Sequence, residues 1–400
     1  MALIICDLAT PIESSPHPCA LRLKKSHNAT RWLFAMFGTL GGVWGVHVPA
    51  LKAHYALTEG SLSIVLLSTG LGAVASLFVA GRLIAWLGVQ RTVVATAFVM
   101  SALLAAVLHW PNMAVLLCTG ALFGCAMSVF DVAINDEGST IESLGGRAVM
   151  SHLHGMFSVG AMAGAGAAAG LLRLGMGADA QFQVTGVLVF GVVAFVSRQL
   201  LVQVTPSIEL PVSHFTLPRG VLMAIGLLMF CSFMAEGSMG DWSVLYLHQE
   251  LHMSPPAAGA GLAIFTGAMA AMRFAGDRLR ARYAEHAVLA WGAATAALAM
   301  TTVLMAQEPT VALVGFGFVG AGLAPIVPIL YAAASRVPGT TRSAAIASVA
   351  SIGYAGLLLG PPIIGGIAQH WSLSTAMVVV ALMAAAIAAC AWVVRAAHRT

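Results

Sequence analysis

The chain has 400 residues, of which 59% are hydrophobic and 8% charged, with a net charge of +4 and a mean hydropathy of +0.91. A soluble domain carries about a quarter charged residues, so this composition excludes one and leaves a polytopic membrane protein. The small net charge argues against a nucleic-acid partner, and the scattered cysteines (Cys6, Cys19, Cys118, Cys125, Cys231, Cys390) have neither disulfide nor metal-ligand spacing.

Residues 1–30 contain Pro11, Pro16 and Pro18 and a basic cluster, Arg22, Lys24 and Lys25. No long apolar run with a cleavage site is present there, so the segment reads as a flexible cytoplasmic tail. Apolar stretches near the roughly 20 residues a bilayer core requires then follow at 31–51, 61–81, 92–109, 113–135, 150–172, 182–202, 219–241, 257–276, 287–306, 310–332, 343–367 and 372–394. They predict an all-α protein of twelve transmembrane helices in two pseudo-symmetric bundles, 31–202 and 219–400. The proline-bearing segment 203–218 is the expected cytoplasmic linker.

With the N-terminus inside, nearly all the arginines fall on the cytoplasmic side, and only Lys52 and Arg173 lie outside. This predicts a bacterial inner-membrane protein with both termini cytoplasmic. Gly124, Gly160, Gly164 and Gly170 recur 196 positions later as Gly320, Gly356, Gly360 and Gly366, an offset shared by Thr58 and Ser254. A repeat of six helices in one orientation implies an axis along the membrane normal.

The fourth stretch ends in acid. Gly120, Gly124, Ser128, Asp131 and Asn135 share one helix face. The small residues admit a neighbouring helix, and the carboxylate should face protein or a water-filled cavity. Asp131 reads either as a helix-joining ion-pair partner or as a functional acid. In the seventh stretch, Glu236 is followed by Gly237 and Gly240, which predicts a broken helix with the carboxylate in the outer half of the bilayer. Asp241 follows in sequence, as does Trp242, which also reads as an interface anchor. His152 and His154 open the fifth span and point in different directions, which disfavours a metal pair. His154 reads as a gate or as a hydrogen-bonding helix-end residue. His47 is a weaker candidate.

The loop after the second span, Gly81-Arg82-Leu83-Ile84-Ala85-Trp86-Leu87-Gly88-Val89-Gln90-Arg91, and its echo from Arg273 to Arg282 resemble the loop signature of the major facilitator superfamily. The first copy lacks the usual aspartate, Ala85 standing in its place, whereas the second keeps Asp277. Finer stretches resemble the YbjJ-like branch: Phe130 to Asn135, His154 to Gly160, and Ala235 to Trp242. The resemblance implies a secondary transporter working by alternating access. In that role Arg82, Arg91, Arg273, Asp277, Arg278 and Arg282 form a cytoplasmic gate, and Asp131, Asn135, His154, Glu236, Asp241 and Trp242 line a proton and substrate cavity. The Gly356–Gly366 run resembles an antiporter glycine-proline signature, but that signature belongs in the fifth span, where no proline occurs.

Transport of a small solute coupled to protons uses the repeat, the acids and the glycine faces together. A drug or amphipathic-solute exporter and an uncoupled facilitator are the alternatives. A membrane sensor would need a signalling domain, and an enzyme a nucleophile-base pair, a metal cluster or a phosphate loop. Neither is found, so no catalysis, metal or cofactor is expected. Acids without a central arginine point to a neutral or cationic substrate, and the protein is expected to be monomeric.

Overall fold

The computed structural model describes residues 18–146, 149–201, 219–338, 340 and 342–396. The expected linker at 203–218, residues 1–17 of the expected tail and the Asp277 side chain lie outside what it describes. The first half consists of α1 (Pro18–His54), α2 (Glu59–Leu87), α3 (Val89–Ala105), α4 (Met113–Gly145), α5 (Met150–Arg173) and α6 (Ala178–Val196). The second comprises α7 (Val221–Gln249), α8 (Pro255–Arg282), α9 (Glu285–Ala306), α10 (Pro309–Leu323), α11 (Ile326–Ala334), α12 (Arg342–His370), α13 (Leu373–Ala389) and the short α14 (Trp392–Ala396).

Among the described residues eleven helical segments are long and apolar enough to cross a bilayer, with α10 and α11 forming one of them. α3 takes the place of the expected third span with 17 residues, about 26 Å of helix, close to the thickness of a bilayer core. The protein is therefore the expected all-α polytopic bundle.

Three boundaries differ from expectation. α1 begins at Pro18, so Arg22, Lys24 and Lys25 ride on a helix that continues into the first span. Their polarity marks where the bilayer ends, not where the helix does. α7 is unbroken through Gly237 and Gly240. A Cβ on Gly237 would lie 2.7 Å from the Leu357 side chain, so this glycine serves close packing against α12. The break falls instead between α10 and α11 at Ala324–Pro325, where the proline has no N–H to donate. Pro361 and Pro362 sit inside a continuous α12.

The repeat is legible in the elements themselves. α2 and α8 begin at 59 and 255, α3 and α9 at 89 and 285, and α4 and α10 at 113 and 309, each pair 196 residues apart. The packing repeats too. A Cβ on Gly124 would meet the Thr69 carbonyl oxygen at 1.8 Å, and one on Gly320 would meet that of Phe265 at 2.1 Å, and both residues of the second pair are again offset by 196. Lipid supplies no hydrophobic drive between helices, so such backbone-to-backbone approaches hold the bundles together.

Gly160 is the clearest case. A Cβ there would lie 1.9 Å from the Ala35 carbonyl oxygen, whereas Gly170 has nothing within 4 Å. Gly160→Leu is expected to destabilise by about 3 kcal/mol or more, because α1 must move away from α5. Gly170→Ala should be tolerated. Thermal unfolding of the purified variants in detergent measures both.

Candidate substrate and proton site

Asp131 lies close to the centre of the 33-residue α4 and Glu236 at the midpoint of the 29-residue α7. α4 continues to Gly145, and α7 does not break at Gly237 or Gly240.

α4 turns its small face to α2, where a Cβ on Gly120 would meet the Ser68 hydroxyl at 2.9 Å. Two turns beyond Gly124 the same face carries Asp131. Asn135 Nδ2 donates to Asp131 Oδ1 at 3.0 Å and to its main-chain oxygen at 2.8 Å. Across from it, Tyr331 of α11 and Tyr354 of α12 lie within electrostatic range of the carboxylate. No cation pairs with Asp131 among the described residues. The group is surrounded by protein yet only half-buried, and it faces two tyrosines of the other half.

A second cluster surrounds Glu236. Arg273 of α8 presents Nη2 to Glu236 Oε1 at 3.0 Å and donates from Nη1 to Ser158 Oγ of α5 at 2.6 Å. One guanidinium therefore ties α7 and α8 of the second half to α5 of the first. The side chains of Arg273 and Glu236 retain 12% and 25% of their accessible surface, so the pair is not fully sealed from water. His154 is exposed on the same side of α5. Its ring meets Phe34 edge-on at 5.3 Å and lies within electrostatic range of Arg273.

These positions correct two expectations. An arginine does stand where the two halves meet, and Arg273 lies beside Glu236 and Ser158 instead of with the expected gate cluster. Arg82, Arg91, Arg278 and Arg282 are exposed at helix ends, with the Arg282 guanidinium 5.8 Å from the Tyr283 ring centroid. On that face the second half is fastened by Arg336, which binds both oxygens of Glu285 at 2.6 and 2.9 Å. The hydrogen bond to Glu285 raises the Arg336 pKa above its ordinary value.

Trp242 is fully buried, a core residue and not an interface anchor. Asp241 lies beyond Glu236 on α7, enclosed by protein and without a hydrogen bond among the described residues. His47 bonds Gln181 through Nε2 at 3.0 Å and joins α1 to α6. Among the described residues no group of His, Cys, Asp and Glu could hold a metal ion.

Other residues missed in the sequence are Ser158, Tyr331, Tyr354 and two carboxylates of the acidic exit. Glu137 is buried and accepts from Ser26 Oγ and Leu201 N. Glu142 Oε2 accepts from Val149 N at 2.8 Å and Met150 N at 3.3 Å, clasping the start of α5. Neither role follows from local spacing, because the partners are distant in sequence or in an intervening turn.

The two halves also meet away from the face bearing the N-terminus of α1. There a Cβ on Gly45 would touch the Gly240 carbonyl oxygen at 2.8 Å, and Gly60 N donates to Gln369 Oε1 at 2.9 Å. α1 thus seals against α7, and α2 against α12.

A sequence model of the Major Facilitator Superfamily matches residues 225–400. An uncharacterized MFS-type transporter of Yersinia pestis is 36% identical over 363 residues, covering 91% of this chain and 94% of its own. The membrane protein MosC of Rhizobium meliloti is 28% identical over 380 residues, covering 94% and 92%. Among solved structures, a D-xylose-proton symporter superposes with a TM-score of 0.76 at 14% identity, over 93% of this chain and 97% of that one. The fucose:proton symporter of E. coli superposes with a TM-score of 0.63 at 16% identity, over 91% and 97%. At these identities the structural likeness concerns the fold.

Proposed function

The chain belongs to the major facilitator superfamily, and on that premise we propose that this multi-pass membrane transporter couples a small neutral or cationic solute to protons by alternating access. The observation that carries the proposal is a pair of unlike charged sites where the two halves face each other. One is a carboxylate that no described cation pairs, Asp131 with Asn135, Tyr331 and Tyr354. The other is a water-accessible ion pair, Glu236 with Arg273, anchored on Ser158 of the opposite half.

Rearrangement of the halves changes the surroundings of both acids, so each can exchange a proton as its side opens or closes. With Asp131, Glu236 and Asp241 set against one arginine that already has a partner, the cavity favours neutral or cationic ligands rich in hydrogen-bond donors. The xylose, fucose and nucleoside transporters among the structural neighbours make polyhydroxylated solutes the first panel to test. The arginine asymmetry supports an inner-membrane protein with cytoplasmic termini.

The test is uptake by the purified chain in proteoliposomes with an imposed pH gradient, screened over sugars, polyols, nucleosides and their amines. Gradient-driven accumulation of one of them supports the proposal. Equilibration to equal concentrations would make the protein an uncoupled facilitator.

A further inference from the structure

α5 has a second functional face. His154 and Ser158 turn toward Arg273, whereas His152, Met156, Ala163, Ala167 and Gly170 follow one another at helical spacing on another side. The last three are exposed along the middle and far end of a membrane helix, so this stripe faces lipid. At its end nearest the N-terminus of α1 it borders α1, and between them lies a recess of about 220 Å³ lined by Asn28, Arg31, Trp32 and Met156.

Arg31 makes the recess cationic, and no described carboxylate compensates it. The His27 and His152 rings lie 6.4 Å apart, and Arg31 is within electrostatic range of both. No carboxylate pairs with these three groups among the described residues. Arg31 Nε and His27 Nε2 are buried atoms without a hydrogen-bond partner, a costly state unless a ligand supplies an acceptor. On the outer side of α1, Lys25, Asn28 and Trp32 are exposed at spacings of three and four, with Trp32 at 54% exposure. A tryptophan beside an arginine, just below a basic helical extension, marks the level of lipid headgroups.

We infer that this recess binds the phosphate headgroup of an anionic phospholipid in the leaflet on the side of the chain's N-terminus. Arg31 donates to the phosphate, Asn28 and His27 add hydrogen bonds, and the acyl chains run along the Met156–Ala163–Ala167 stripe. A soluble phosphate would satisfy Arg31 equally but has no use for an opening onto lipid.

The test uses the full chain in vesicles containing either brominated phosphatidylglycerol or brominated phosphatidylcholine at equal mole fraction. Subtracting the emission of Trp32→Phe isolates Trp32 from the other tryptophans. Quenching of Trp32 is expected to be about fivefold stronger with phosphatidylglycerol, the preference one interfacial arginine supplies. Arg31→Gln should remove the preference and Arg31→Lys should keep it, so a general loss of folding is distinguishable from loss of the site. Equal quenching by the two headgroups overturns the inference. Relief of quenching by added inorganic phosphate also overturns it, by assigning the recess to a soluble anion.

Discussion

Glu236→Gln is expected to leave folding, solute binding and solute exchange intact while abolishing accumulation driven by a pH gradient. The substitution keeps the shape and a carbonyl oxygen for Arg273 Nη2, now at 3.0 Å from Glu236 Oε1, but removes the site of protonation. One pH unit is worth about 1.4 kcal/mol per proton, or about tenfold accumulation at one proton per solute. The variant should therefore lose that factor while counterflow between equal pH values continues. Arg273→Gln should be more damaging, because it leaves Glu236 charged without its cation and releases Ser158 at the contact between the halves. Combining it with Glu236→Gln should recover part of that loss, since removing both partners spares the unpaired charge. Uptake and counterflow in the same liposome preparations separate these cases.

Asp131→Asn is expected to cut coupled uptake by about tenfold or more with little change in thermal stability. The amide can still bond Asn135, which reaches Asp131 Oδ1 at 3.0 Å, and no ion pair is broken because no described cation faces the group. What disappears is the charge presented to Tyr331 and Tyr354 across the cavity. A ligand cation or hydroxyl that uses the carboxylate would bind more weakly, so the half-saturating concentration should rise as the rate of coupled uptake falls. Unchanged uptake with unchanged affinity would reduce Asp131 to a helix-joining residue.

The bundle was readable because its signals are local and periodic. Apolar stretches of bilayer length locate the helices, and the 196-residue offset of Gly124 and Gly320 reappears as the same packing of α4 on α2 and of α10 on α8. Asp131, Asn135, His154 and Glu236 were also within reach, since a polar group inside an apolar helix is conspicuous. What escaped were relations across the chain. Arg273 reads as part of a basic loop because four arginines follow one another toward the end of α8, yet a long side chain starting well inside the helix reaches Glu236 and Ser158. Trp242 reads as an anchor because the expected span ends at 241, yet α7 continues to Gln249 and buries it. Gly237 and Gly240 suggest a break that tertiary packing against α12 and α1 removes, whereas Pro325 breaks the tenth span outright. In each case spacing along the chain describes the residue and the packing of a distant helix decides its role.

The central claim is that solute and proton move together through the Glu236–Arg273 pair. The most direct measurement is proton flux, read by a pH dye trapped inside proteoliposomes, when a transported solute is added without any imposed gradient. The internal pH is predicted to change on solute addition with the wild-type chain and to stay constant with Glu236→Gln, although both exchange solute. Solute entering without any pH change in the wild type, or an undiminished pH change in Glu236→Gln, would contradict it.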